Sequence, residues 1–168
     1  SGGMKQRVTV AIAISMMPKL LIADEPTSAL DVVIQRQVME TLGTVQREIG
    51  AAIVLVGHDM GLMAQFVDTL GIMYAGRLVE IGPVAEVFAE PLHPYTRLLI
   101  NTLPSLDAKA VFKGIPGRTP SLLNAPAGCA FRERCPDASE ACASQEHAFT
   151  EVRPGRWVAC PNYAGGRS

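Results

Sequence analysis

Four apolar residues followed by two carboxylates, Leu20-Leu21-Ile22-Ala23-Asp24-Glu25, carry the clearest chemistry in this chain. A buried strand that ends in Asp and then Glu can set the first carboxylate on a magnesium shell. The second then lies beside an attacking water, which is the arrangement that phosphoryl transfer to water requires. Ser1-Gly2-Gly3-Met4-Lys5-Gln6-Arg7 precedes the strand and Ser28-Ala29-Leu30-Asp31 follows it, so the whole reads as half of an ATP site. The bland alternative is a strand end whose carboxylates cap a turn, and that role does not demand both flanking segments.

The elements that must hold these residues follow from apolar spacing. Ser1-Gly2-Gly3 can cap a helix, and Met4 to Met17 is apolar on nearly every face, which predicts a buried helix stopped by Pro18. Leu20 to Ala23 reads as a core strand. Ile34, Val38, Leu42, Val45 and Ile49 recur every three or four residues, so Asp31 to Ile49 is an amphipathic helix closed by Gly50. Ile53 to Val56 is the next strand, and after His58 a short helix is expected through Val67. Leu70 to Tyr74 and Leu78 to Ile81 flank Ala75-Gly76-Arg77 as a hairpin. Pro83 opens a short helix through Ala89, and His93-Pro94-Tyr95-Thr96 opens another through Leu103. The fold class expected is α/β, with a mostly parallel sheet and ligands at the strand C-termini.

Pro104, Pro116, Pro120 and Pro126, with Gly114 and Gly117, suit an extended linker; beyond it a small, loop-rich module with little core of its own is expected. The division implied is 1–103 and 104–168. With 48% hydrophobic and 18% charged residues, the 168-residue chain can bury a sizeable core. A net charge of -1 gives no support to a nucleic-acid partner. The apolar runs stop well short of the ~20 residues of a membrane span, and no export leader is read, so a soluble chain in a reducing cytoplasm is expected.

The series Ser-Gly-Gly-x-x-Gln-Arg, Leu-Leu-Ile-Ala-Asp-Glu-Pro-Thr-Ser-Ala-Leu-Asp and Val-Gly-His-Asp resembles the ATPase subunits of ABC transporters, in their signature, Walker B, D-loop and H-loop segments. His93-Pro94-Tyr95-Thr96 and Gly128-Cys129-Ala130-Phe131-Arg132-Glu133-Arg134-Cys135-Pro136 resemble the extension of the oligopeptide, dipeptide and nickel importer group. Gln145-Glu146-His147 departs from that pattern, where a proline is expected after the third cysteine. The resemblance implies the C-terminal portion of a P-loop NTPase domain over 1–103 and the importer-type extension over 104–168. No Gly-x-x-x-x-Gly-Lys-Ser/Thr segment occurs, so the chain by itself is expected neither to hold ATP tightly nor to be active.

By the resemblance, Asp24 holds Mg²⁺, Glu25 is the general base and His58 contacts the terminal phosphate of ATP. Ser1, Gly2, Gly3 and Gln6 belong to a helix N-terminus that covers the ATP of a second copy, where unpaired N–H groups and the helix dipole suit a phosphate. Gln6 and Arg7 are the weaker members, since polar residues in a first helical turn are often only solvated, and Lys5 reads as surface charge. Asp31 acts across the interface, caps the following helix, or does both. Asp59 is a natural cap for the helix after His58, which by itself would usually be a structural histidine.

Cys129, Cys135, Cys142 and Cys160 are separated by five, six and seventeen residues. Four thiolates could hold Zn²⁺ or a [4Fe-4S] cluster, and spacing alone does not separate the two; four unrelated buried thiols are the remaining reading. Cys135-Pro136 and Cys160-Pro161 match the Cys-Pro end of ferredoxin-type runs, and the resemblance also points to the cluster.

The function this implies is ATP hydrolysis driving import of peptides, or of nickel or a related solute, across the cytoplasmic membrane. Its partners would be a second ATPase subunit (the same or a related one), transmembrane permease subunits and, indirectly, a periplasmic or extracellular solute-binding protein, with the chain peripheral on the inner membrane face. The other classes are a soluble ABC ATPase without transport, for which no basic patch or inserted arm speaks, and a metal-binding regulatory module attached to a remnant.

Overall fold

The computed structural model describes residues 2–103, 114–121, 123, 126–144 and 147–163. The chain divides into two compact units, Ser1–Val67 and Asp68–Ser168.

The first unit runs α1 (Gly2–Ile14), β1 (Leu20–Asp24), α2 (Val32–Ile49), β2 (Ala52–Val56) and α3 (Met60–Met63). Asp31 caps α2, its carboxylate accepting from Ile34 N at 3.0 Å, and Gly50 ends it in the left-handed region with φ 65°. The crossover through α2 makes β1 and β2 parallel neighbours, paired from Leu20↔Ala52 to Asp24↔Val56. Val38, Met39 and Leu42 on the inner face of α2 pack with Val10, Ala23, Ile53 and Leu55, while Val45 closes on Leu21 and Ala51.

Two expectations change here. Helix α1 is not buried all round: Val10 and Ile14 face the core, but Met4, Val8 and Ile12 are largely exposed. Strand β1 is likewise covered on one face only, with Leu21 buried and Ile22 70% exposed. In both elements the apolar content exceeds what α2 alone can cover. The helix also ends at Ile14, three residues earlier than its apolar content suggests. The Ser15 hydroxyl donates to the Ile12 carbonyl, and Met17 turns left-handed ahead of Pro18.

The second unit contains β3 (Thr69–Tyr74), β4 (Arg77–Pro83), α4 (Val84–Ala89), α5 (Pro94–Asn101), α6 (Ala141–Ser144), β5 (Thr150–Arg153) and β6 (Arg156–Val158). Its sheet has the order β3-β4-β6-β5 and every pairing in it is antiparallel. The expected mostly parallel sheet is therefore wrong: the larger sheet is antiparallel, and the parallel pairing is confined to β1 and β2. The reason lies in the connections. Ala75-Gly76, both left-handed, join β3 to β4 in two residues, and Pro154-Gly155 do the same for β5 and β6; parallel neighbours need a crossover of a dozen or more residues.

The last third is also less loop-like than expected, because β6 adds to the edge of β4 through Glu80↔Val158 and Ile81↔Trp157. Val158 and Cys160 pack with Leu92, and Tyr74, Tyr95 and Phe131 form an aromatic cluster with ring centroids 4.7 to 5.3 Å apart. Within the expected linker, residues 104–113, 122, 124 and 125 lie outside the described residues, as does Gln145-Glu146.

Candidate functional site

Strand β1 delivers Asp24 and Glu25 at its C-terminal end, and β2 delivers His58 two residues beyond its own. The Glu25 amide donates to the Val56 carbonyl at 2.9 Å, which extends the parallel ladder one step past β1. Glu25 itself is left-handed (φ 47°), a conformation L side chains rarely adopt, and the turn after it is closed by Ser28 N donating to Glu25 O at 3.1 Å. The result is a Glu25 Oε1 to His58 Nδ1 contact of 3.0 Å, with both side chains open to solvent. Through that hydrogen bond and the Glu25 charge, with a smaller contribution from Asp59, His58 titrates above its usual 6.5. Asp59 also caps α3 by accepting from Leu62 N at 2.9 Å.

Glu25, His58 and Asp59 line a cleft of about 150 Å³, floored by Met39, Leu55 and Leu62 and walled by the turn Pro26 to Ala29. Pockets that enclose drug-sized ligands run to roughly 300–1,000 Å³, so this cleft is smaller than a site that would enclose a nucleotide. Asp24, exposed at the strand end, lies outside the lining, as do Asp31 and the described residues of α1. Asp31 acts as the α2 cap. Gly2 opens α1, and Ser1 lies outside the described residues. Gly3 has a packing reason of its own, since a Cβ there would stand 2.8 Å from Ile34 Cγ2. Gln6 is half-buried, and the Arg7 guanidinium donates to Gln37 Oε1 at 3.0 Å, tying α1 to α2.

The cysteines do not make the expected metal centre. Among the described residues no group of three or more Cys, His, Asp or Glu side chains is placed to hold a metal ion, and Cys129, Cys135, Cys142 and Cys160 are free thiols. Burial pushes the Cys129, Cys135 and Cys160 thiols up, that of Cys160 to about 11. Cys142 Sγ instead lies 3.6 Å from the Ser139 hydroxyl, and Cys160 packs in the Leu92–Val158 core. Neither the [4Fe-4S] cluster nor Zn²⁺ fits, and the reading of 104–168 as a metal-binding module falls with them.

Sequence reasoning missed a buried polar centre in the second unit. Glu80 and Arg156 are almost fully buried; Arg156 Nη2 donates to Glu80 Oε1 at 2.9 Å and to the Glu90 carbonyl at 2.8 Å. The Glu80 carboxylate also accepts from Leu92 N and His93 N, at 2.9 and 2.8 Å. Gly82 makes room, as a Cβ there would lie 2.3 Å from Arg156 Cδ. His93 is buried too, accepts from Tyr95 N at 3.1 Å to cap α5, and is driven by burial down to about 4. Nothing local flags the pair, whose members are 76 residues apart.

Known proteins agree with the two halves of this description. Residues 1–28 match the ABC transporter family and 79–142 match the family described as oligopeptide/dipeptide transporter, C-terminal region. Over these stretches the chain is similar to ATP-binding subunits of ABC transporters of the oligopeptide/dipeptide group. It is 48% identical to the oligopeptide transport ATP-binding protein OppD of Escherichia coli over 95% of its own length and 48% of that protein's. Against the putative oligopeptide transport ATP-binding protein YkfD of Bacillus subtilis the identity is 40%, over 97% and 51%. The chain thus spans about half the length of these relatives. The solved structure of cbiO1 from Clostridium perfringens, part of the ABC transporter complex cbiONQ, is 39% identical and superposes with a TM-score of 0.51 over 54% of this chain and 36% of that one. Among the described residues no helix is long and apolar enough to cross a membrane.

Proposed function

We propose that the chain is part of an ATP-hydrolysing subunit that energises import of peptides, or of a related small solute such as nickel. The observation that carries this is the Glu25–His58 pair at the ends of two adjacent parallel strands, the place where open α/β sheets gather ligands. In this reading Glu25 takes the proton of the water that attacks the terminal phosphate of ATP. His58, kept protonated above its ordinary range by that same carboxylate, presents its other ring nitrogen to the phosphate. Asp24 offers hard oxygens at the strand end, a donor type suited to Mg²⁺, which when bound neutralises phosphate charge.

Gly2, Gly3 and Gln6, with Ser1, would present the α1 N-terminus to ATP held by a second ATPase subunit, and Asp31 would act across that interface besides capping α2. The small cleft and the lack of a Gly-rich phosphate loop in this sequence support a site completed by further polypeptide, which would also cover the bare faces of β1 and α1. Residues 1–103 would be the C-terminal part of the ATPase domain and 104–168 the family's extension. Permease subunits and a solute-binding protein complete the importer, with the subunit peripheral on the cytoplasmic face of the membrane. Glu25→Gln in the intact subunit is expected to retain ATP, slow hydrolysis on the order of 10²–10⁴-fold and stop uptake; undiminished uptake would overturn the assignment.

A further inference from the structure

We infer that Gln35, in the first turn of α2, is a positioning residue for Glu25: its side-chain amide holds the Thr27 carbonyl and so fixes the turn that aims the Glu25 carboxylate at His58. The role in hydrolysis rests on the function proposed above; the positioning itself does not.

The turn needs holding. Between β1 and α2 the backbone enters the left-handed region at two non-glycine residues, Glu25 (φ 47°) and Ala29 (φ 59°), and each carries a Cβ that disfavours it there. Backbone bonds alone support it weakly: Ser28 N to Glu25 O at 3.1 Å and Leu30 N to Thr27 O at 3.3 Å. Gln35 Nε2 adds a second donor to the Thr27 carbonyl at 3.3 Å, reaching back eight residues. A solvated glutamine on a helix surface would point outward. Gln35 is instead half-buried and forms part of the cleft wall beside Glu25 and His58.

The donor is itself anchored. Asp31 fixes the first turn of α2 twice, its carboxylate accepting from Ile34 N and its carbonyl from Gln35 N at 2.9 Å. Ile34, the neighbour of Gln35, is seated against Gly3 of α1, where there is no space for a Cβ. A displacement of the turn therefore has to break a bond to a helix that cannot follow it.

Gln35→Met keeps the length and removes the N–H donor. In the full chain, we expect the Ser28 and Leu30 amides to exchange faster in this variant. The His58 titration midpoint, which Glu25 and Asp59 hold above 6.5, should move down toward 6.5, with the urea midpoint unchanged. Gln35→Glu, which sets a carboxylate against the Thr27 carbonyl, should speed the same two amides. In the intact ATPase, Gln35→Met should lower kcat on the order of ten- to a hundredfold with KM for ATP unchanged, as a misplaced general base would. Unmoved amides and an unmoved His58 midpoint in Gln35→Met would overturn the inference, as would a fall in the urea midpoint without either local change. Local loosening in Gln35→Met together with full hydrolysis by Glu25→Gln would leave Gln35's role in place and overturn the general-base reading.

Discussion

Removing Arg156 is the sharpest test of what holds the second unit together. Arg156→Met preserves most of the side-chain volume beside Gly82 but leaves the Glu80 carboxylate, fully buried, with two backbone amides and no counter-charge. Breaking a buried pair from one side costs about 3–5 kcal/mol. The lower end is expected here, because among the described residues Arg156 Nε has no hydrogen-bond partner and Nη1 approaches Glu86 at 3.6 Å, so the native guanidinium already bears part of its desolvation cost. A loss of about 3 kcal/mol corresponds to a Tm drop of roughly 12–24 °C for a unit of this size. Trp157, the only tryptophan in the chain, lies in β6 opposite Ile81 and reports this unfolding by fluorescence in urea or on heating. Glu80→Gln combined with Arg156→Met removes both charges, so the double variant should lose clearly less than the sum of the two single ones. A loss below about 1 kcal/mol in Arg156→Met, or strict additivity in the cycle, would refute the reasoning.

Acid should weaken the same unit through His93. Its pKa falls from 6.5 unfolded to about 4 folded because burial disfavours the cation, so the stability it contributes is present above pH 6.5 and is lost as pH falls toward 4, up to roughly 3 kcal/mol. Trp157-monitored urea midpoints from pH 7 to 4 check this, and in His93→Gln the decline over that window should flatten. In the first unit, Gly3→Ala is expected to destabilise by about 1–3 kcal/mol by forcing a methyl onto Ile34, and a companion Ile34→Ala should recover part of that loss in thermal unfolding. If Ile34→Ala merely adds its own cost, the two helices are not in the contact described.

The local grammar of the chain was open to sequence reading. Asp31 and Gly50 bracket α2 because a carboxylate cap and a left-handed glycine act within a turn of the helix they serve. The Asp-Glu strand end, the histidine after the next strand and the Ala75-Gly76 hairpin are likewise written in neighbouring residues. Which side of α1 meets solvent could not be read, since its apolar residues lie on nearly every face and only a packing partner selects one. Helix and strand periods fix what an element is, but not what lies beside it.

What only tertiary structure decided depends on contacts between distant residues. The hairpin at Ala75-Gly76 already specified an antiparallel pair, yet the sheet became four-stranded and antiparallel because β6 returned to the edge of β4. No spacing rule announces that return. The Glu80–Arg156 centre, the 3.0 Å approach of His58 to Glu25 and the fate of the four cysteines are of the same kind. Residue type supplied the chemistry each side chain could perform. Burial and neighbours then set which protonation state and partner it takes, and those are properties of the folded environment rather than of the chain order.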